Sequence, residues 1–432
     1  MALKASITVI AGLLALSACG SGPKVILEGP REMVGAAATL AETPVPLRVA
    51  AASRNSQWTH VNGTPNHALA HPSLGPSLAP VFSVSVGEPE TARARVTGDP
   101  VVAGGLIYTV DAFARVTATD TAGNARWSRS LVPSRHTTRD GSGGAAAVSG
   151  NMLVVTTGYG EVVALDRTTG GTIWTQRVDA PATAAPTLTS DTAYVTTRDG
   201  RAWALDLENG RQRWIKIGTE ALTSFGGGAS PAVSGDVVVL PVDSGELIAT
   251  FPRGLERWRG MVASNRVGRA TAIISDVTAD PVISGNTLYT SSIGGRTVAL
   301  DLETGARKWT AQDGASGAIW LAGNALFMVN DVNELLRLDA DTGAVIWRQA
   351  LPRFTNPDRP TRRQALVAHY GPIFAGGRVI VASSDGVLRG FNPEDGSQIE
   401  SVALPAGAAS APVVADETLY VVTKDGLLSA FR

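Results

Sequence analysis

The sequence predicts an all-β protein, an eight-bladed β-propeller built from four-stranded antiparallel blades. The first observation is a repeat that ends in tryptophan, with spacings from 38 residues (Trp309 to Trp347) to 51 residues (Trp258 to Trp309). The second is a content of 47 glycines and 24 prolines, which indicates many turns. The third is a series of alternating apolar runs separated by Asp-Gly or Thr-Gly turns. About 40–50 residues is the length of one four-stranded blade.

Each repeat ends in a pattern close to Ala-Leu-Asp-x-x-Thr-Gly-x-x-x-Trp, in which the tryptophan begins the outer strand. A single blade is too thin to bury its own faces, so blades must stack on their neighbours. An indole buries a large area and has an N–H that can bond a carbonyl, so we expect these side chains to wedge between blades. The predicted structural tryptophans are Trp127, Trp174, Trp214, Trp258, Trp309 and Trp347.

Two further copies lack the tryptophan and decide the number of blades. The seventh ends at Ile399, and the eighth, which begins at Ala411, reaches Arg432 before its outer strand. An alternating segment near residues 80–86, with Phe82 in place of tryptophan, supplies that strand and closes the ring. Seven blades remain an open alternative.

The N-terminus has the features of a secretory signal peptide. One lysine is followed by an apolar run that is shorter than the roughly 20 residues of a membrane-spanning helix. The ending Leu16-Ser-Ala-Cys19 resembles the lipobox of bacterial lipoproteins, so residues 1–18 are the predicted signal peptide and Cys19 the predicted lipidation site. Cleavage of an ordinary signal remains the alternative. We expect a flexible tether over residues 19–56, with a brief helix near 31–41, and the propeller over 57–432.

Charge and composition exclude several function classes. There are 37 basic and 38 acidic residues, so nothing favours nucleic acid as a partner. His67 and His71 stand four residues apart, but the flanking Pro65 and Pro72 disfavour a helical metal-binding face. No motif of nucleophilic catalysis or phosphate binding stands out. The sequence therefore predicts no catalytic residues, no metal and no cofactor.

Two insertions interrupt the repeat, at residues 259–279 and 351–370. Long loops on a rigid scaffold often carry function. The second insertion holds a basic cluster at residues 359–363, for which a solvated loop and a binding site are both open interpretations.

The repeat resembles that of pyrroloquinoline-quinone dehydrogenases, which raises the hypothesis of a periplasmic quinoprotein enzyme. Those enzymes hold a quinone over a calcium ion, generally with a catalytic aspartate. Acidic residues such as Asp331, Glu334 and Asp358 form no local cluster suited to calcium. Most of the remaining acids stand at turns of the repeat, where a structural role explains them.

Taken with the lipobox, the repeat resembles the BamB family, the lipoprotein subunits of the machinery that folds β-barrel proteins into the outer membrane. The resemblance covers the whole chain and includes Trp58, Asn62-Gly63, Pro65-Asn66-His67 and Ser275-Asp276-Val277. It implies a non-catalytic scaffold, anchored by lipid on the periplasmic face of the outer membrane, that docks on the periplasmic part of BamA. Unfolded outer-membrane proteins are a further partner that it allows. A periplasmic scaffold with another partner is the third hypothesis.

The resemblance also implies two partner-binding loops. The residues that match them are Leu222, Ser224, Phe225, Asp276 and Thr278. Leu222 would give an apolar contact and Asp276 a charge-assisted hydrogen bond. Phe225 stands where the family has arginine and Thr278 where it has a second acid, which shifts the expected contact towards apolar chemistry. A core position for Leu222 and a turn-capping role for Asp276 remain open.

Overall fold

The computed structural model describes residues 45–219, 227–262, 276–358 and 365–432. The signal peptide, Cys19 and the brief helix expected near 31–41 lie outside these residues. So do Leu222, Ser224, Phe225 and the basic cluster at 359–363.

The described residues form eight four-stranded antiparallel sheets, each of which is one blade. Blade 1 contains β2 (Val101–Ala103), β3 (Leu106–Val110), β4 (Arg115–Asp120) and β5 (Ala125–Ser130), and blade 2 contains β6 (Gly144–Ser149), β7 (Met152–Thr157), β8 (Glu161–Asp166) and β9 (Thr172–Arg177). Blade 3 contains β10 (Thr187–Leu188), β11 (Thr192–Thr197), β12 (Arg201–Asp206) and β13 (Gln212–Ile217), and blade 4 contains β14 (Ala232–Ser234), β15 (Val237–Pro241), β16 (Glu246–Thr250) and β17 (Glu256–Met261).

The second half of the chain repeats the same order. Blade 5 contains β18 (Ala279–Ser284), β19 (Thr287–Ser292), β20 (Arg296–Asp301) and β21 (Arg307–Ala311), and blade 6 contains β22 (Ala315–Ala322), β23 (Ala325–Asn330), β24 (Glu334–Asp339) and β25 (Val345–Ala350). Blade 7 contains β26 (His369–Ala375), β27 (Arg378–Ser383), β28 (Val387–Phe391) and β29 (Gln398–Ala403). Blade 8 contains β30 (Val413–Ala415), β31 (Thr418–Val422), β32 (Leu427–Phe431) and β1 (Pro80–Ser85), and a 3-10 helix lies at Val61–Gly63.

The ring closes through blade 8, whose outer strand comes from the other end of the chain. β1 pairs with β32 in antiparallel register, with Phe82 opposite Ala430 and Val84 opposite Leu428. This pairing confirms the predicted closure by a strand near residues 80–86, and the count of eight blades excludes seven. Closure leaves no blade with a missing fourth strand.

Burial falls from the first strand of a blade to the fourth. The first three strands of blade 2 are almost wholly buried, whereas its fourth strand, β9, alternates exposed and shielded residues. The core therefore lies between neighbouring blades, and the first strands line the axis of the ring. Each fourth strand forms part of the outer circumference.

Tryptophans join each blade to the next. The six indoles pack against the glycine that turns the third strand of the following blade into its fourth, and each indole N–H donates to a carbonyl of that turn. The bonds are Trp127 to Arg167 (3.0 Å), Trp174 to Leu207 (2.8 Å), Trp214 to Pro252 (2.9 Å), Trp258 to Leu302 (2.8 Å), Trp309 to Ala340 (2.9 Å) and Trp347 to Pro393 (3.0 Å). In blade 8, Phe82 lies in the same way against Gly123 of blade 1.

The repeat aspartates stabilise the turns that receive these indoles. Asp301 accepts hydrogen bonds from the Thr304 hydroxyl (2.9 Å) and the Thr304 amide (3.0 Å). These bonds hold the pKa of Asp301 below its usual value, because they favour the ionised carboxylate. The acids of the repeat thus have a structural task in the turns.

Candidate functional site

The candidate functional site is the part of the circumference that blades 3 and 4 form, where the two predicted partner loops begin. The first loop follows β13 and the second follows β17. Leu222, Ser224 and Phe225 lie outside the described residues, so the structure places only the ends of their loop. Asp276 and Thr278 stand at the end of the second loop, directly before β18.

Exposed apolar side chains gather on these two blades. Ile217 at the end of β13 is 67% exposed, Leu255 before β17 is 70% exposed, and Met261 at the end of β17 is 51% exposed. We call Ile217 and Met261, which end neighbouring outer strands on the same side of the ring, the apolar rim; Leu255 lies at the opposite end of β17. Among the described residues, four other large apolar side chains are exposed, and they are scattered over blades 2, 7 and 8 and the 351–368 connection. Exposed apolar side chains at the same position of two neighbouring blades make this part of the circumference the candidate for binding another molecule.

Arginines hold the backbone beneath the apolar rim. Both terminal nitrogens of Arg259 lie 3.4 Å from the carbonyl oxygen of Ile217, and the Arg307 guanidinium donates to the carbonyl of Met261 at 2.8 Å. Arg259 also bonds Glu256 (2.9 Å) and Glu246 (3.2 Å), which raises its pKa above the usual value. The ends of β13 and β17 are thereby fixed to the following blades, and their side chains are presented on rigid backbone.

The turn before β17 departs from the repeat. Phe251 stands where five other blades have aspartate, and Phe251, Pro252, Arg253 and Leu255 line a mainly apolar hollow. The Arg257 guanidinium lies 4.0 Å from the centre of the Phe251 ring and bonds Asp236 at 2.6 Å and Glu303. The cation–π contact and the ion pairs hold this turn without the aspartate network of the other blades.

The end of the second predicted loop is largely buried rather than exposed on the surface of the ring. Asp276 is 3% exposed and Val277 is buried beside it. The Thr278 hydroxyl donates to the Ala315 carbonyl of blade 6 at 2.8 Å, and the Thr278 amide donates to Ser291 at 3.0 Å. In this structure Asp276 therefore packs within the protein, whereas Thr278 is half-buried.

The sequence analysis missed the exposed apolar residues Ile217, Met261 and Leu255. A signal for two of them was present: the last residue of the outer strand is Ser85, Ser130, Arg177, Ala311, Ala350 or Ala403 in six blades but Ile217 and Met261 in blades 3 and 4. Comparison of equivalent positions among the repeats finds both. Their exposure depends on how the outer strand lies in the folded ring, so it could not be predicted from the sequence.

The described residues contain neither a metal-binding cluster nor a helix that could span a membrane. Over 45–219, 227–262, 276–358 and 365–432, no three side chains of His, Cys, Asp or Glu come close enough to share a metal ion. Asp331, Glu334 and Asp358 in particular do not form such a group. The same residues contain no helix with the length and apolar character needed to cross a membrane.

Comparison with known proteins gives a consistent result. The family model described as "Outer membrane protein assembly factor BamB" matches residues 112–349 and 337–432. A relative of that name from Yersinia pestis is 26% identical over 295 residues, which are 67% of this chain and 71% of the relative. A second, from Shewanella oneidensis, is 24% identical over 281 residues, which are 65% of this chain and 68% of the relative.

Solved structures share the fold. The crystal structure of BamB from Moraxella catarrhalis superposes with a TM-score of 0.66 at 18% identity and covers 82% of this chain and 99% of that one. A quinohemoprotein alcohol dehydrogenase from Comamonas testosteroni superposes with a TM-score of 0.68 at 13% identity and covers 88% of this chain and 81% of that one. At these identities the likeness concerns the propeller fold alone.

Proposed function

The chain belongs to the BamB family of outer membrane protein assembly factors, and on this premise we propose that it is a non-catalytic scaffold subunit of the outer-membrane β-barrel assembly complex. Its proposed partner is the periplasmic part of BamA. In this proposal it assists the folding and insertion of outer-membrane proteins from the periplasmic face of the outer membrane.

The observation that carries the docking proposal is the apolar rim. Ile217 and Met261 are exposed on arginine-fixed backbone, and each directly precedes one of the two loops that the family resemblance assigns to partner binding. Because the backbone of an outer strand is already fixed, a partner that covers these side chains does not have to order any further main chain. We therefore propose a docking surface that contains Ile217 and Met261 with Leu222, Ser224, Phe225 and the half-buried Thr278. In this proposal the buried Asp276 supports the end of the second loop from beneath.

Lipidation at Cys19 is the proposed link to the membrane. Several acyl chains, at ~0.8 kcal/mol for each buried CH2, make such an anchor effectively permanent. A Cys19→Ser variant should appear in the soluble periplasmic fraction, whereas the unmodified chain sediments with the membranes. A Ser17→Ala variant, which leaves the thiol in place, is the control and should remain with the membranes. Sedimentation of Cys19→Ser with the membranes to the same extent would contradict lipid anchoring.

Co-purification from detergent-solubilised envelopes tests the docking surface. We expect BamA to co-purify with the unmodified chain and to be depleted at least tenfold by Ile217→Arg combined with Met261→Arg, because a desolvated charge opposes an apolar contact. Ile399→Arg is the matched control, since Ile399 is also an outer-strand residue and is 57% exposed, but it lies on blade 7. Asp276→Asn removes the charge of the buried carboxylate with little change of shape, and co-purification of BamA with this variant tests whether that charge contributes to docking.

The outcomes separate the function from the site. If the unmodified chain does not retain BamA, the proposed function is wrong. If the double variant melts at the same temperature as the unmodified chain and still retains BamA, the apolar rim is not the docking surface. Equal losses for Ile399→Arg and the double variant would show that the effect is not local to blades 3 and 4.

A further inference from the structure

A segment that precedes the first strand lies on the axis of the ring. We call residues 53–75 the axial segment. It reaches the innermost strand, or the turn after that strand, of all eight blades. The paired residues are Trp58 with Val102, Thr59 with Val148, His60 with Leu188, Pro65 with Val233, Asn66 with Ile283, Asn62 with Ile319, Pro72 with Gly376, and Asn55 with Val414.

Carbonyl groups of the axial segment bind amides of the inner strands. Thr59 accepts from the Val148 N–H at 3.0 Å, Pro65 from Val233 at 2.8 Å, and Asn66 from Ile283 at 2.9 Å. One edge of each inner strand pairs with the second strand of its blade, and the other edge faces the axis. Such an edge presents unpaired amides and carbonyls that can bind an extended peptide. The axial segment supplies this peptide.

Side chains make the fit specific. The indole of Trp58, 2% exposed, stacks on Trp320 of blade 6 with ring centres 5.7 Å apart and an angle of 24° between the planes. The Nε2 atom of His60 accepts from the Leu188 amide at 3.0 Å. The Asn62 amide group donates to the Ile319 carbonyl at 3.0 Å. These three side chains are buried, and they are hydrogen-bonded or stacked on the inner strands of two blades, His60 on blade 3 and Trp58 and Asn62 on blade 6.

We propose that the inner edges of the eight blades form a peptide-binding site whose ligand is the chain's own axial segment. The covalent chain enters the ring only at β1, in blade 8. The axial segment adds non-covalent attachment to the other seven blades and holds them in register around the axis. The described residues that precede it, 45–52, are thereby connected to the whole ring. This inference does not depend on the partner proposed above.

Cleavage of the folded chain tests whether the axial segment behaves as a ligand. A recognition sequence for a site-specific protease is inserted between Pro76 and Ser77, which are exposed in the turn before β1. The chain is folded first and then cut. We expect the N-terminal fragment to co-elute with the ring in size-exclusion chromatography. Separation of the fragment from a ring that stays folded would overturn the proposal.

Two neighbouring residues provide a matched pair for the cut protein. Trp58→Ala removes the stacked indole and should speed release of the fragment about a hundredfold or more. Gln57→Ala changes an exposed side chain next to it and should leave the release rate unchanged. Equal rates for both variants would overturn the assigned contacts.

Hydrogen exchange on the uncut, unmodified chain gives a readout that does not require any variant to fold. The amides of Val148, Val233 and Ile283 have their acceptors in the axial segment, so they should be protected as strongly as amides inside the blades. Exchange at the rate of an unstructured peptide would overturn the proposal.

Discussion

Replacement of Gly305 by alanine tests how tightly an indole joins two blades. Gly305 turns β20 into β21, has φ of +71°, and lies against Trp258 of blade 4. A Cβ atom added there would lie 2.7 Å from both Cδ2 and Cε3 of that indole. Gly285, in the same blade, is the matched control, because it has φ of +55° but no atom within 4 Å of an added Cβ.

The two substitutions share backbone strain and differ in packing. A side chain at positive φ costs about 1–2 kcal/mol, which is the expected loss for Gly285→Ala. Insertion of a methyl group into a packed contact costs a further 1–3 kcal/mol or so. Gly305→Ala should therefore lower the free energy of unfolding by roughly 2–5 kcal/mol. Trp258 has little room to retreat, since its N–H is bonded to the Leu302 carbonyl at 2.8 Å.

Urea unfolding of the two variants, followed by circular dichroism, measures the difference. Trp258→Leu removes the clash, so in that background Gly305→Ala should cost no more than Gly285→Ala. The coupling between positions 258 and 305 is then on the order of 1–3 kcal/mol. Equal midpoints for Gly305→Ala and Gly285→Ala in the unmodified chain would refute the clamped indole.

Three further predictions concern the axial region and the chain before it. Burial, with repulsion from His67, lowers the pKa of His60 to about 3. Between pH 6.5 and 3 the unfolded state therefore binds a proton that the folded state does not. The free energy of unfolding should fall by up to about 5 kcal/mol as pH drops through that window. His60→Gln keeps an acceptor for the Leu188 amide and should abolish this fall, measured as urea unfolding midpoints from pH 7 to 4. If the midpoint of the variant still falls with pH as it does in the unmodified chain, His60 is not the source. Burial raises the pKa of Asp99 to about 7, so its contribution to the free energy of unfolding is complete below pH 3.8 and is lost as pH rises through 7. Asp99→Asn should remove this loss. A dependence of stability on pH identical to that of the unmodified chain would contradict the prediction. Arg337 is 1% exposed and joins Glu394 (3.1 Å) to the Val45 carbonyl (2.7 Å). Arg337→Met should therefore speed proteolysis at residues 45–52 at least fivefold, whereas Arg54→Met, at an exposed ion pair, should not. Equal cleavage rates for the two variants would show that Arg337 does not hold this segment.

Much of the architecture could be predicted because its signals are local. The Asp-Gly and Thr-Gly turns, the alternation of each strand and the spacing of the tryptophans all lie within one repeat. The ring-closing strand was also predictable, since the eighth repeat lacks its outer strand and Phe82 occupies the tryptophan position before the first. The family was recognisable from the lipobox together with these repeats, and the family model confirms it.

The candidate site was predictable in part. The sequence pointed to the loops after β13 and β17, but it did not find the exposed Ile217 and Met261 that directly precede them, nor Leu255 in the turn before β17. Exposure of an apolar residue at a strand end depends on the twist of the blade and on the arginines of the next blade. Asp276 shows the opposite case, because a charged residue predicted for a surface contact packs inside the protein.

The sequence by itself determined the blade repeat, the tryptophan joints between blades and the strand that closes the ring, because each depends on patterns a few residues to one repeat in length. The structure decided between seven blades and eight. Only the tertiary structure decided the path of the axial segment and the composition of the apolar rim. The Asn55 side chain meets the Val414 carbonyl at 2.6 Å across 359 positions of sequence. Such a contact joins residues from opposite ends of the chain, which only the closed fold brings together, and no local pattern encodes it.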